Sequence, residues 1–278
     1  KKAFDSKVGN VGDINLSLIA ALKYAGLSVE PILLSTRENG LLTELHPVLS
    51  EFNYVIAKLD IDNKTYLLDA TEDFYPFGLI PERCLNGKGR VLGEEESYWH
   101  ELKSPDRKKT ISAQNLTMDA NGVIKGTIQN TYLGYDAMEI RKKLHASANQ
   151  KDYVDQLTNN GALMNVTNYK FENLDNEAVP LILKLEVESD AAGSNPEAFL
   201  YNPFVIDRWV ANPFKSSERS YPVDFGIPIE EVIILNLEFP EGYEIAEMPA
   251  KVGLALPDAG GRFIFNFARN TKGFTMNS

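Results

Sequence analysis

The sequence predicts an α+β protein of two domains, in which an antiparallel β-sandwich follows a smaller domain that contains a helix. Three observations lead to this fold class. The chain has 278 residues, and single domains commonly have roughly 100–200. A helical pattern of apolar residues begins near residue 13. From residue 110 onward, β-prone segments follow one another at short intervals. The predicted domains are residues 1–103 and residues 104–278.

The first domain begins with a predicted helix over residues 13–25. Ile14, Leu18 and Leu22 recur at helical spacing, and Asp13 is a favourable N-cap residue. Gly26 is typical of the position that ends a helix. Other apolar residues occupy most of the remaining faces, so we expect the helix to be buried on several sides.

Three β-prone segments follow this helix, at residues 29–35, 52–59 and 65–69. The last two flank a short Asp/Asn turn and predict a hairpin. A loop at Ile61 and Asp62 would pair Tyr54 with Asp69, whereas a loop at Asp62 and Asn63 would pair Tyr54 with Thr71. Side chains alternate along a strand, so Tyr54 and Asp69 lie on one face in either register. Residues 73–93 contain six Pro or Gly residues and predict an irregular segment.

The second domain begins with a predicted hairpin around the turn Asp119–Gly122. Residues 136–160 contain few β-branched residues and predict a helical insertion into the β-domain. The predicted strands of this domain lie at residues 111–118, 123–132, 163–172, 179–189, 230–239 and 262–268.

Composition excludes several classes of function. The net charge of −11 disfavours nucleic acid, whose binding depends on basic surface. No apolar run approaches the roughly 20 residues that span a bilayer, so no transmembrane segment is expected. The single cysteine, Cys84, cannot form an internal disulfide, and three scattered histidines offer no zinc-ligand spacing. We therefore expect no metal and no cofactor.

The segment Gly9–Asp13 and the hairpin ending at Leu68–Thr71 resemble the transglutaminase-like superfamily of papain-type cysteine enzymes. In that superfamily a Gly-x-Cys-x-Asp segment opens a helix, and a histidine and an aspartate lie on two later strands. The helix dipole favours the thiolate, the histidine moves the proton, and the aspartate orients the histidine. The resemblance covers residues 5–92 and implies a truncated papain-type core.

Matched residue by residue, the nucleophile position of the superfamily falls on Val11, the histidine position on Tyr54 and the aspartate position on Asp69. Val11 has no nucleophilic atom, and a phenol with an ordinary pKa of about 10 is a poor base near neutrality. Losing one member of such a triad costs on the order of 10⁴–10⁶ in rate. The resemblance thus implies a domain that is not an enzyme, with Tyr54 and Asp69 as candidate binding residues.

The segments Asp69–Pro81 and Arg219–Gly226 further resemble parts of uncharacterised exported bacterial proteins, in which a degenerate core adjoins β-rich domains. This resemblance implies an exported, periplasmic or cell-surface location. It also implies a binding or structural role toward a protein, peptide or glycan. Helices expected before Lys1 and an element expected after Ser278 are missing, so the sequence is expected to be a fragment.

Two other functions stay open at this point. The first is an active amidase or peptidase with a non-standard nucleophile such as Cys84. The second is adhesion or assembly through the β-sandwich. Asp69 could itself be a functional remnant or a structural acceptor for Tyr54. One aromatic segment could either stack a carbohydrate or close the end of the sandwich; its members are Phe199, Tyr201, Phe204, Trp209 and Phe214.

Overall fold

The computed structural model of the protein describes residues 5–6, 8–46, 48–159, 164–189, 201–204, 211–212, 214–216, 218, 220 and 223–278. These residues fall into two compact units. The first unit lies within Lys1–Arg107 and Val223–Pro228, and the second within Lys108–Pro222 and Ile229–Ser278. The predicted domains, residues 1–103 and 104–278, stay a prediction. The first compact unit differs from the first predicted domain because it also includes Val223–Pro228.

Helix α1 spans Val11–Tyr24. Its N-cap is Asn10, whose Oδ1 accepts a hydrogen bond from the Asp13 backbone N–H at 2.8 Å. Asp13 Oδ2 in turn accepts from the Asn10 N–H at 3.1 Å, which completes a capping box. The prediction of Asp13 as N-cap was therefore wrong, because Asp13 is the third helical residue. Gly26 follows the helix with φ +80°, as predicted.

Helix α1 is less buried than its composition suggests. Only Asn15 and Ile19 are buried, and 52% of Leu16 is exposed. The helix packs against two strands, Ser28–Leu34 (β1) and Tyr54–Ile61 (β2), and this packing covers one face. The expectation of burial on several sides was wrong, because apolar content does not by itself say which faces meet a neighbour.

The first unit contains a five-stranded antiparallel sheet in the order β3-β2-β1-β4-β5. Its remaining strands are Lys64–Leu68 (β3), Lys88–Leu92 (β4) and Ser97–Glu101 (β5). Strand β4 corrects the prediction of an irregular segment over 73–93. Gly89 is required there, since a Cβ atom on it would lie 2.4 Å from Ile32 Cγ2. The glycine that suggested irregularity allows β4 to approach β1.

The β2–β3 hairpin turns at Asp62 and Asn63, whose φ angles are 50° and 60°. Positive φ at both positions is typical of the two-residue turn that matches strand twist. Ile61 pairs with Lys64, so the register is the second of the two predicted alternatives and aligns Tyr54 with Thr71.

In its described residues the second unit has two α-helices, Gly134–Ala146 (α2) and Gln150–Asn159 (α3), which confirm the helical insertion predicted near 136–160. The six predicted strands are also present; residue 163 of one prediction lies outside the described residues. The strands are Lys108–Met118 (β6), Ile124–Leu133 (β7), Asn165–Glu172 (β8), Leu181–Glu188 (β9), Ile229–Glu238 (β10), Val252–Ala255 (β11), Arg262–Arg269 (β12) and Gly273–Asn277 (β13). Strands β11 and β13 were not predicted. Within the described ranges, no helix is both long and apolar enough to cross a membrane.

The predicted antiparallel β-sandwich needs correction. All eight described strands of this unit belong to one sheet in the order β11-β12-β13-β10-β6-β7-β9-β8. Strands β6 and β10 pair in parallel, and the other pairs are antiparallel. Alternating apolar residues require one covered face, but they do not say whether a second sheet or helices cover it. Here α2 and α3 contribute Ile140, Leu144 and Val154 to the core beside the sheet residues.

The aromatic segment of the second unit is partly described. Tyr201 and Phe204 pack against the core, with ring centroids 6.3 Å from Phe274 and 6.5 Å from Phe265. These contacts favour closure of the core over carbohydrate stacking for these two residues. Phe214 is 37% exposed. Phe199 and Trp209 lie outside the described residues.

Candidate functional site

Tyr54 and Asp69 are in direct contact. Tyr54 is the first residue of β2, and Asp69 follows the last residue of β3. The Tyr54 hydroxyl donates to Asp69 Oδ2 at 2.8 Å and lies 2.9 Å from Thr71 Oγ1. The hairpin register thus places the predicted histidine and aspartate positions together, as the alternation of side chains requires.

Val11, the third predicted site residue, is the first residue of α1 and packs against the apolar cluster beneath the helix. Asn15, one helical turn later and fully buried, makes the contact with Asp69. Its Nδ2 donates to Asp69 Oδ1 at 2.9 Å and to the Val55 carbonyl at 2.8 Å. Its Oδ1 accepts from the Ala70 N–H at 2.8 Å. Helix α1 is therefore joined to the two strands through an amide rather than through a nucleophile.

Both oxygens of Asp69 are occupied, and its side chain is 0% exposed. Oδ1 accepts from Asn15 and from the Thr71 N–H at 2.9 Å, while Oδ2 accepts from Tyr54. Arg83 Nη2 lies 3.9 Å from Oδ2 and supplies a nearby positive charge. A buried carboxylate is tolerable only with such compensation.

Arg83 closes the site from the short 3₁₀ turn Glu82–Cys84. Its Nη2 donates to the Tyr54 oxygen at 2.8 Å and to Thr71 Oγ1 at 3.0 Å, and its Nη1 donates to Glu72 Oε1 at 2.6 Å. Burial alone would lower the pKa of Arg83, but the hydrogen bonds to Tyr54 and Glu72 outweigh burial and raise it. The guanidinium is therefore a permanent cation over the Tyr54 ring, 5.3 Å from the ring centroid.

The protonation state of Tyr54 follows from its surroundings. Burial of the phenol raises the pKa of Tyr54 to about 12, and the negative charge of Asp69 acts in the same direction. At neutral pH the hydroxyl is protonated and donates its hydrogen to Asp69. Tyr54 therefore acts as a hydrogen-bond donor rather than as a base.

Cys84 lies at this same site, although no sequence pattern placed it there. Its Sγ is 4.0 Å from Asp69 Oδ2, and the residue is 0% exposed. Burial, together with the charge of Asp69, raises the pKa of the Cys84 thiol to about 12. A thiol that is buried and protonated is a poor nucleophile.

Four further residues of the site were missed from the sequence: Asn15, Thr71, Glu72 and Arg83. Asn15 carried a signal, because it is a polar residue one turn after Val11 and stands between the apolar residues Ile14 and Leu16. Thr71 was implied by the second hairpin register. Arg83 is 29 residues from Tyr54, and no local pattern links the two.

The three histidines are placed elsewhere. His100 lies on β5, where burial and the charge of Lys58 lower its pKa. His46 is exposed, and His145 Nε2 lies 3.6 Å from Asp175 in the second unit. Among the described residues, no three His, Cys, Asp or Glu side chains come together in a group suited to a metal ion.

Comparisons with known proteins give limited matches. Residues 197–278 match the family described as "Domain of Unknown Function with solved-structure structure (DUF3858)". No curated protein matches. A solved structure from Parabacteroides distasonis ATCC 8503, described as a "putative protease", is 12% identical with a TM-score of 0.43. The alignment covers 99% of this chain, which spans 38% of that protein's length.

Proposed function

We propose that the first unit is a catalytically inactive transglutaminase-like domain, and that the protein has a binding or structural role rather than a catalytic one. One observation carries the proposal: the carboxylate at the aspartate position is fully engaged in a buried network with Tyr54, Asn15 and the Thr71 backbone. The papain-type core itself belongs to the proposal, on the strength of the matched positions Val11, Tyr54 and Asp69.

A catalytic aspartate of this type must hold a histidine that exchanges protons. At this site the partner of Asp69 is a phenol whose pKa is raised to about 12 by burial. Arg83 also donates to that phenol, so its oxygen is already used as an acceptor. Proton transfer at neutral pH would have to disrupt these contacts, which favours a structural role for the network.

The rival function, an amidase or peptidase with a non-standard nucleophile, depends on Cys84. Its sulfur lies near Asp69, but a reactive cysteine requires a lowered pKa and access to substrate. Cys84 has a raised pKa and 0% exposure. The thiol therefore fits a buried packing role.

Thiol alkylation together with amide hydrolysis tests the proposal. In the native protein we expect iodoacetamide to leave Cys84 unmodified at mildly alkaline pH, whereas the protein unfolded in guanidinium should take up one label. We expect no hydrolysis of casein or of a quenched fluorescent peptide library. Cys84→Ser is the matched control. Hydrolysis by the wild type that this variant lacks would overturn the proposal and favour the rival.

A second test concerns the position of Val11. In Val11→Cys, the new thiol would stand at the first turn of α1, where the helix dipole lowers a thiol pKa. We expect it to react faster with iodoacetamide than Val8→Cys, whose side chain precedes the N-cap and is exposed. Adding Tyr54→His should increase the difference. Equal reactivity at positions 8 and 11 would count against matching Val11 to a nucleophile position.

We also propose that the protein acts outside the cytoplasm, from the resemblance of Asp69–Pro81 and Arg219–Gly226 to exported proteins. Cell fractionation of a native host, with detection by antibody, tests this location. Recovery with the cytoplasmic fraction alone would contradict it.

A further inference from the structure

A groove with a volume of about 500 Å³ lies on the face of the second sheet opposite the apolar core. Strands β6, β7, β9 and β8 form its floor. The polar residues that line it include Asn115, Thr127, Gln129, Asn168, Lys184 and Glu186.

The sheet register arranges these side chains in rows. Asn115 pairs with Thr127, Thr127 with Glu186, and Glu186 with Asn168. In the next row Gln129 pairs with Lys184. Neighbouring strands are about 4.8 Å apart, so three strand spacings separate Asn115 from Asn168 by about 14 Å. The rows therefore present polar groups over the length of an elongated ligand.

Three of these side chains have capacity to bind a ligand. Counting contacts to the described part of the chain, the side chains of Asn115, Thr127 and Gln129 form no hydrogen bond or ion pair. Asn115 and Thr127 are exposed, and Gln129 is half-buried. They offer amide and hydroxyl groups that donate and accept hydrogen bonds.

The charges around the groove balance. Lys170 and Lys184 share the carboxylate of Glu172, at 2.8 Å and 3.1 Å, and Glu186 supplies a second negative charge. Two positive and two negative charges leave the groove locally neutral, although the chain carries −11. A neutral groove lined by amides and a hydroxyl favours an uncharged polyhydroxylated ligand over a phosphate or an acidic chain.

A peptide fits the groove less well. The backbones of β6, β7 and β9 are paired with neighbours on both sides, so an extended peptide cannot join the sheet along them. Helical and proline-rich peptides bind in apolar or aromatic grooves, whereas most of the residues that line this groove carry polar side chains.

We propose that this groove binds a neutral oligosaccharide of several sugar units. The proposal deepens the binding role suggested above by naming a ligand class, and it rests on that role. It does not depend on whether the first unit is inactive, because the groove lies in the second unit. The alkylation and hydrolysis tests address the first unit alone, and the binding test addresses the groove.

The test uses the full chain and a panel of neutral hexasaccharides, comprising cello-, xylo-, manno- and chitohexaose, with isothermal titration calorimetry. We expect at least one to bind with an affinity that changes less than twofold when NaCl is raised, because the groove has no net charge. Asn115→Ala combined with Gln129→Ala should weaken that binding by roughly tenfold or more, since two hydrogen-bonding groups are lost.

Two matched variants, Thr127→Val and Thr275→Val, distinguish binding in the groove from the effect that any Thr→Val change has on the protein. Both threonines are exposed, and both changes keep a β-branched side chain of similar size. Only Thr127 lines the groove, so only Thr127→Val should weaken binding. Three results would overturn the proposal. The first is no binding by any hexasaccharide at millimolar concentration, and the second is equal binding by the wild type and the groove variants. The third is binding of neutral peptides instead of saccharides.

Discussion

Replacing Asp69 by alanine tests whether the network at the aspartate position stabilises the first unit. The substitution removes the acceptor of the Thr71 N–H and one partner each of Tyr54 and Asn15. It also leaves the Arg83 guanidinium without the carboxylate that lies 3.9 Å away.

The size of the effect follows from burial. Hydrogen bonds to charged groups contribute about 1.5–3 kcal/mol each, and removing one partner of a buried charged pair costs about 3–5 kcal/mol. Arg83 is 36% exposed, and water can partly replace its lost partner. We therefore expect Asp69→Ala to lower the free energy of unfolding by about 3–4 kcal/mol. Asp69→Asn, which keeps the shape and one acceptor, should cost about half as much.

Urea unfolding followed by tryptophan fluorescence measures this effect. Trp99 lies on β5 in the first unit and stacks on Phe52 at 6.4 Å. Because the chain has two tryptophans, Trp209→Phe leaves Trp99 as the single indole reporter. Asp73→Ala is the matched control, since Asp73 is exposed and four residues away; its cost should stay within about 0.5 kcal/mol.

A small or favourable effect of Asp69→Ala would contradict a stabilising role for this network. Residues retained for function often reduce stability, so replacing a functional remnant is expected to be neutral or stabilising. A cost below about 1 kcal/mol would show that Asp69 does not act as the structural acceptor proposed here. It would direct attention to a ligand at this position instead.

Three further predictions concern other parts of the chain. Asn10→Ala removes the N-cap of α1 and should lower the free energy of unfolding in urea by about 1 kcal/mol. Asn10→Asp keeps a capping oxygen and should retain most of that stability. An equal loss in the two variants would contradict the capping role. Arg141 is 1% exposed and donates to four backbone carbonyls of the loop before β9. We therefore expect Arg141→Met to lower the free energy of unfolding by about 3 kcal/mol. The control Lys143→Met, at an exposed position, should lower it by almost nothing. Burial raises the pKa values of Cys84, from 9.0, and of Tyr54, from 10.0, to about 12. Above pH 9 the unfolded chain loses these protons before the folded chain does, so stability should be complete below pH 9 and fall toward pH 12. The Cys84 thiol accounts for up to about 4 kcal/mol of this loss. When the free energy of unfolding of Cys84→Ala is measured over the same pH range, it should fall by that much less. A fall equal to that of the wild type would contradict the buried thiol.

Short-range patterns in the sequence were enough to locate the local elements. Helical spacing and Gly26 located α1, and the Asp/Asn turn located the β2–β3 hairpin. Alternation then placed Tyr54 and Asp69 on one face, because the side-chain period of a strand is independent of the rest of the fold. Helical composition likewise located α2 and α3. These features depend on neighbours within a few residues, which a sequence shows directly.

The way in which these elements meet depends on contacts between distant parts of the chain. The parallel pairing of β6 with β10 joins segments more than 100 residues apart, and no local pattern specifies it. Strand β4 exists because Gly89 permits close approach to Ile32, a contact between distant parts of the chain. At the candidate site, Arg83 and Cys84 reach Asp69 from a short turn that composition predicted to be irregular. Burial there sets the protonation of Tyr54 and Cys84, and burial is a property of the packed chain rather than of either residue.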